Sequence, residues 1–279
     1  MFTRSFAVLA VLAAMSASFG YAAGAAAARP VYGDPPLGPG TAGPPYRYPT
    51  AVVGQGDTIP LKNRAIIVRT EHGYRYQAGQ QNSHLVITRT DSGSLRFRDT
   101  GTQRLWRIPS GCHRQRANPG IAGVCGVPSD ISTRRPLLIE VWPRLGGDYV
   151  DTHTLPATFA TSVLGDKGSD TVLFGAGPDF FNGFVGRDRV RGGGGKDWIR
   201  SGKYADRVFG SSGNDQIVDS RGSDFIAGGE GADHIWAGPG NDRVDARAGT
   251  DRVVCSSGHD RVWVLSGDSL SQCERVYRG

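Results

Sequence analysis

Long apolar runs are almost missing from this chain of 279 residues. The single one spans Phe6 to about Ala17, shorter than the roughly 20 residues a membrane-spanning helix needs, and no second follows. Met-Phe-Thr-Arg precedes it and small residues follow through Ala28, so residues 1–28 read as a secretory signal peptide cleaved between Ala23 and Ala28. Catalytic motifs are missing as well: there is no H-E-x-x-H and no G-x-S-x-G. The six histidines, His72, His84, His113, His153, His234 and His259, show no metal-ligand spacing. The chain is therefore read as not an enzyme, the lesser alternative being a secreted enzyme whose site the sequence hides. Cysteine is sparse, but four is an even number, which in an exported chain favours two disulfides over a reduced metal site. Sustained helical periodicity is also missing between residues 51 and 143.

What is plentiful is glycine. The 41 glycines are about twice the usual share, with nearly all of the excess after Gly165. Charge is uneven too. Residues 1–164 hold 17 Lys/Arg against 9 Asp/Glu, whereas residues 165–264 hold 13 against 15. A basic N-terminal part is suited to anionic polymers at a cell surface, or is simply a solvated face.

Residues 29–50 mix seven prolines with Gly and Ala and read as an extended linker. Residues 51–160 form a small β domain leading into a repetitive C-terminal segment. Its strands are expected at Ala65–Thr70, Tyr74–Gln77, His84–Thr90, Leu95–Asp99, Leu105–Ile108 and Leu137–Trp142. Cys112 and Cys125 lie inside it, and closing that loop would stabilise it by about 3 kcal/mol.

The C-terminal segment, residues 161–279, is a tandem repeat. Aspartate falls at 170, 179, 188, 197, 206, 215, 224, 233, 242, 251 and 260, eleven times at a spacing of nine. Two residues after each stands an apolar side chain, and two before stands glycine, except at Tyr204. Glycines allow tight turns that leave carbonyls free, and the three residues from each Asp make a short strand whose apolar member points inward. Two nonapeptides give one 18-residue coil, with coils stacked about 4.8 Å apart.

Stacking divides the aspartates into two columns. One holds Asp170, Asp188, Asp206, Asp224, Asp242 and Asp260; the other holds Asp179, Asp197, Asp215, Asp233 and Asp251. Carboxylates about 5 Å apart repel by about 1 kcal/mol per pair even in water. The arginines that directly follow an aspartate (Arg189, Arg207, Arg243, Arg252, Arg261) project to the opposite face of the strand and make poor partners. Calcium, which takes six to eight oxygens in flexible geometry, suits the columns. The second column keeps small residues at ion-facing turn positions, with Gly192, Gly194, Gly210, Ser212, Gly228 and Glu230 as candidate ligands beside their aspartates. The first column is degraded: Tyr204 replaces a glycine, and Asp219-Ser-Arg and Cys255-Ser-Ser replace glycine pairs. Tighter sites are expected in the second column. Ser269 stands where the next aspartate is due, and Cys255 and Cys273, one coil apart, are expected to be joined in place of an ion.

The fullest turns, Gly192-Gly-Gly-Gly-Lys-Asp197 and Gly228-Gly-Glu-Gly-Ala-Asp233, follow G-G-x-G-x-D-x-U-x. On them the chain resembles secreted RTX-like (hemolysin-type) calcium-binding nonapeptide-repeat proteins of the actinobacterial sort. Leu145-Gly-Gly-Asp-Tyr-Val150 is similar to the family's first element, and Cys255 through Cys273-Glu-Arg-Val276 to its ending. The resemblance implies an all-β fold: a right-handed parallel β-roll, an RTX-type β-solenoid, preceded by a small disulfide-bonded β domain. It implies calcium as the bound ion and an extracellular location, free or at the cell surface.

A second reading concerns the faces of the roll. Phe180, Trp198, Gln216, His234, Arg252, Trp236 and Trp263 are expected to point outward, either to hold cell-wall polysaccharide or another anionic polymer, or to stabilise neighbouring coils. The expected partners are Ca2+ and such a polymer, with no nucleic acid and no transmembrane segment after signal cleavage.

Overall fold

A computed structural model describes residues 63–79 and 82–279. The expected signal peptide and the linker at 29–50 lie outside the described residues. Among those described there is no helix: 23 strands form an 11-stranded and a 12-stranded sheet. No helix there is long and apolar enough to cross a membrane.

The nine-residue period explains the architecture. Each Asp-x-apolar trio starts a strand, and successive trios alternate between the two sheets. Strands one coil apart therefore pair in parallel, like residue over like: Val172 against Val190, Val190 against Val208, Phe181 against Ile199, Ile199 against Ile217. The result is a parallel β-solenoid of about 8 turns. Each nonapeptide sends one apolar side chain inward, Val172, Phe181, Val190, Ile199, Val208, Ile217, Ile226, Ile235, Val244, Val253 and Val262, all buried. Burying each contributes roughly 1.5–3 kcal/mol. All but Phe181 are β-branched, the shape that packs well on a pleated surface.

The strands expected near the N-terminus are observed at Arg64–Arg69, Gly73–Gln77, His84–Arg89, Leu95–Asp99, Arg104–Arg107 and Leu137–Trp142. They do not form a sheet of their own. Gly73–Gln77 pairs in parallel with Leu137–Trp142, which pairs with Phe159–Leu164, so the 11-stranded sheet runs through them; His84–Arg89 joins the other sheet through Tyr149–Asp151. Both sheets, and one hydrophobic core from Ala65 to Val264, cross residues 160 and 161 without a break. Antiparallel strands then close that end of the stack.

Both disulfides are present. Cys112 and Cys125 face each other on an antiparallel pair, Cα atoms 4.1 Å apart. Cys255 and Cys273 join successive coils with Cα atoms 5.1 Å apart.

Candidate metal centre

Each repeat aspartate sits where a turn enters a strand, and its carboxylate is tied to the neighbouring coil. In the column of the 12-stranded sheet, the N–H of Asp170 donates to Oδ1 of Asp188 at 2.8 Å; Asp188 does the same to Asp206, Asp206 to Asp224, Asp224 to Asp242 and Asp242 to Asp260. In the other column Asp179 donates to Asp197, Asp197 to Asp215, Asp215 to Asp233 and Asp233 to Asp251. Each bond spans one 18-residue coil.

The columns run further than the nine-residue count. Asp148 heads the first, donating its N–H to Asp170 Oδ1 and accepting the N–H of Ser83; Glu274 ends it by accepting the N–H of Asp260. In the second column Asp251 donates to Asp268 Oδ1. The expectation that the acidic series stops because Ser269 replaces an aspartate is corrected here: a shortened coil brings Asp268, one residue earlier, into the same place.

The other oxygen of every repeat aspartate has no partner. Oδ2 of Asp148, Asp170, Asp179, Asp188, Asp197, Asp206, Asp215, Asp224, Asp233, Asp242, Asp251 and Asp260 is buried and unbonded. The residues themselves are at most 3% exposed. Asp99 shows what a satisfied buried aspartate looks like in the same chain: it accepts from the N–H groups of His84 and Gly101 and from the hydroxyls of Tyr76 and Thr102. The ion pairs Arg75–Glu140, Arg135–Asp130 and His153–Asp151 involve none of the repeat aspartates, and strand alternation turns the arginine after each aspartate to the opposite face.

Burial dominates the electrostatics. It pushes Asp170, Asp188, Asp233 and Asp242 up to about 7 and Asp206 to about 8, while the N–H bonds from the adjoining coil pull the other way. Asp215 and Asp251 rise to about 6. Asp197 is driven well above the ordinary carboxylate range, first by burial and then by the charges of Asp179 and Asp215. The fold thus holds buried carboxylate oxygens ready to bind a cation.

Glycine provides the room. A Cβ at Gly192 would collide with Asp197 Oδ2 and the Gly210 carbonyl oxygen. At Gly210 it would strike Asp215 Oδ2 and the Gly228 carbonyl, and at Gly228 it would strike Asp233 Oδ2 and the Ala246 carbonyl. Each missing side chain leaves a cradle where an unpaired carboxylate oxygen and a carbonyl from the next coil converge, the donor set calcium takes. The first column has two such cradles as well, Gly165 at Asp170 and Gly183 at Asp188, which its degraded turns did not suggest. Elsewhere the equivalent inward place is filled, by Phe174, Ala246 and Val264 in the second column and by Ser201, Asp219, Ala237 and Cys255 in the first.

The other candidate ligands stand apart. Gly194, Ser212 and Glu230 lie over one another in strand register, and the carbonyls of Ser212 and Glu230 accept the N–H groups of Gly195 and Gly213. The Glu230 side chain is exposed. On the 11-stranded sheet Phe180 and Trp198 pack edge to face at 5.7 Å, and with Gln216 and Trp236 they are buried. That face does not present an open row of aromatics.

The family described as RTX calcium-binding nonapeptide repeat (4 copies) matches residues 191–218 and 218–253, which include the three cradles of the second column. No curated protein and no solved structure matches the chain. The matched nonapeptides are a calcium-binding motif, and with the parallel solenoid built from them they support an RTX-like, hemolysin-type repeat over residues 191–253.

Proposed function

We propose that this is an exported, non-enzymatic structural protein whose roll folds when it meets extracellular calcium. The observation that carries the reading is the run of buried Oδ2 atoms without partners along both columns. An unsatisfied buried polar atom costs about 1–3 kcal/mol, and more when charged. Each inward apolar side chain contributes a similar amount. The two nearly cancel in every repeat, so a bound cation tips the balance between folded and unfolded roll. Two disulfides suit an oxidising compartment, where calcium is also plentiful. Circular dichroism of the purified chain, in chelator and then in millimolar calcium, tests this. A large gain of β signal on adding calcium is expected; identical spectra would reject calcium-driven folding.

A second reading, contact with an anionic surface polymer, finds support on the 12-stranded sheet. There exposed Arg189, Arg207, Arg243, Arg261 and Arg275 share one column at successive coils, interrupted between Arg207 and Arg243 by Phe225. Aromatics lie among them: Arg243 sits over Trp263 at 4.5 Å, and Arg191 and Phe209 border a cleft of about 550 Å³. A row of cations at strand spacing matches a linear polyanion. Salt-sensitive retention on an anionic wall polymer, lost in Arg207→Glu/Arg261→Glu, is the expected result; retention unchanged by salt or by those changes would exclude it.

A further inference from the structure

One residue of the first column stands apart. The place five residues before each aspartate of that column, open at Gly165 and Gly183, is taken on successive coils by Ser201, Asp219, Ala237 and Cys255. Three of these are neutral fillers, and the last carries the disulfide to Cys273. Asp219 instead adds a third buried carboxylate where Asp206 and Asp224 already meet. One oxygen from each of the three lies within 4.8 Å of the others.

We propose that Asp219, Asp206 and Asp224 form a separate three-carboxylate cation site in the column whose turns otherwise depart from the repeat. It would take calcium or another hard cation of that size. The inference rests on the calcium reading above and deepens it: an interruption of the motif becomes a site of higher charge than any glycine cradle.

Three observations support it. Oxygens bound to one calcium at about 2.3–2.6 Å stand up to about 5 Å apart, which the cluster satisfies without rearrangement. Oδ2 of Asp206, Asp219 and Asp224 each lack a partner in residues only 2–3% exposed, so the cluster contains three buried, unsatisfied carboxylate oxygens. A backbone oxygen reaches the same cluster. A Cβ at Gly222 would collide with both carboxylate oxygens of Asp224 and with the Tyr204 carbonyl. Tyr204 holds φ at 84° where the regular repeat has glycine, and its side chain is 60% exposed, so the backbone rather than the ring meets the cluster. A bulky residue kept in the left-handed region is strain that the surroundings must hold in place.

A filling role alone does not account for the choice of residue. Ser201 and Ala237 fill the same place on the coils before and after without charge. A third carboxylate there, with no protein cation paired to it, is the least favourable filler on electrostatic grounds. It becomes favourable once a cation is bound.

The test uses the full chain, with calcium titrated by calorimetry and terbium by luminescence. Asp219→Asn keeps the shape and removes the charge; Asp219→Ala copies the neighbouring coil. Asp197→Asn serves as a control in a regular cradle, and circular dichroism confirms the fold of each variant. Both Asp219 variants are expected to bind about one ion fewer than the parent and to lose the tightest terbium site, since three carboxylates favour the higher charge. If Asp219→Asn and Asp219→Ala keep the parent's ion count and affinities while Asp197→Asn loses an ion, the cluster is a filler and the inference fails alone. If the parent binds no calcium, the calcium reading and this inference fall together.

Discussion

The backbone N–H of Asp197 donates to Oδ1 of Asp215, 18 residues later, at 2.9 Å, leaving Oδ2 of Asp215 buried without a partner. This half-satisfied carboxylate recurs along both columns. It couples coil to coil through one oxygen and reserves the other, so the same residue both holds the solenoid together and threatens it when no cation is present.

The calcium-free roll should be sensitive to pH. Burial raises the column carboxyls above their ordinary 3.8, Asp215 to about 6, Asp170 to about 7 and Asp206 to about 8, so the folded chain binds more protons than the unfolded one. In chelator, stability is therefore greatest near pH 4 and falls as pH rises through about 6 to 8. Saturating calcium should flatten or reverse that slope and release protons on binding. Thermal melts in chelator across this range check it, and a midpoint that climbs with pH would contradict it.

Asp197→Asn separates the two jobs of the carboxylate. The amide keeps an acceptor for the N–H of Asp179 and places a donor where the free oxygen faced the Gly210 carbonyl. Relief of one unsatisfied buried atom should stabilise the calcium-free protein by about 1–3 kcal/mol. The stabilisation gained from calcium should shrink. Paired denaturation curves, with and without calcium, report both effects.

Gly210→Ala blocks a cradle without breaking the fold. Alanine already occupies the equivalent inward place at Ala246, fully buried, and at Ala237. The added methyl would meet Asp215 Oδ2 and the Gly228 carbonyl, so calorimetry should find at least one calcium site lost at near-native β content. A variant that binds the parent's full complement would show that ions bind elsewhere.

Removing the Cys255–Cys273 bond should loosen the last coil first. The bond closes an 18-residue loop, which corresponds to about 3 kcal/mol from chain entropy. In Cys255→Ser/Cys273→Ser, amides of Ser269–Ser271 and Arg275–Arg278 should lose hydrogen-exchange protection before those of Gln216–Val218. Uniform loss of protection would point to a single cooperative unit instead.

Much of the architecture is legible from spacing. A period of nine places Val172 through Val262 inward, and a coil of 18 accounts for the Cys255–Cys273 link. Alternation locates six N-terminal strands within a residue or two, but not their membership of the solenoid sheets, because parallel pairing across 65 residues leaves no local pattern. Asp148 carries a partial signal in Asp148-Tyr-Val150, the same Asp-x-apolar trio out of step with the count.

The sequence by itself determined which residues face inward, how they divide between two sheets and that acidic groups stack in columns, since a strict repeat forces like onto like. Only the tertiary structure decided where those columns end and what fills each cradle. Asp148, Asp268 and Glu274 join across intervals of 22, 17 and 14 residues, because loops absorb insertions and deletions while the hydrogen-bonded strands keep their spacing. Asp219 meets Asp206 and Asp224 for the same reason: it shares a turn with one, but only coil stacking brings it to the other.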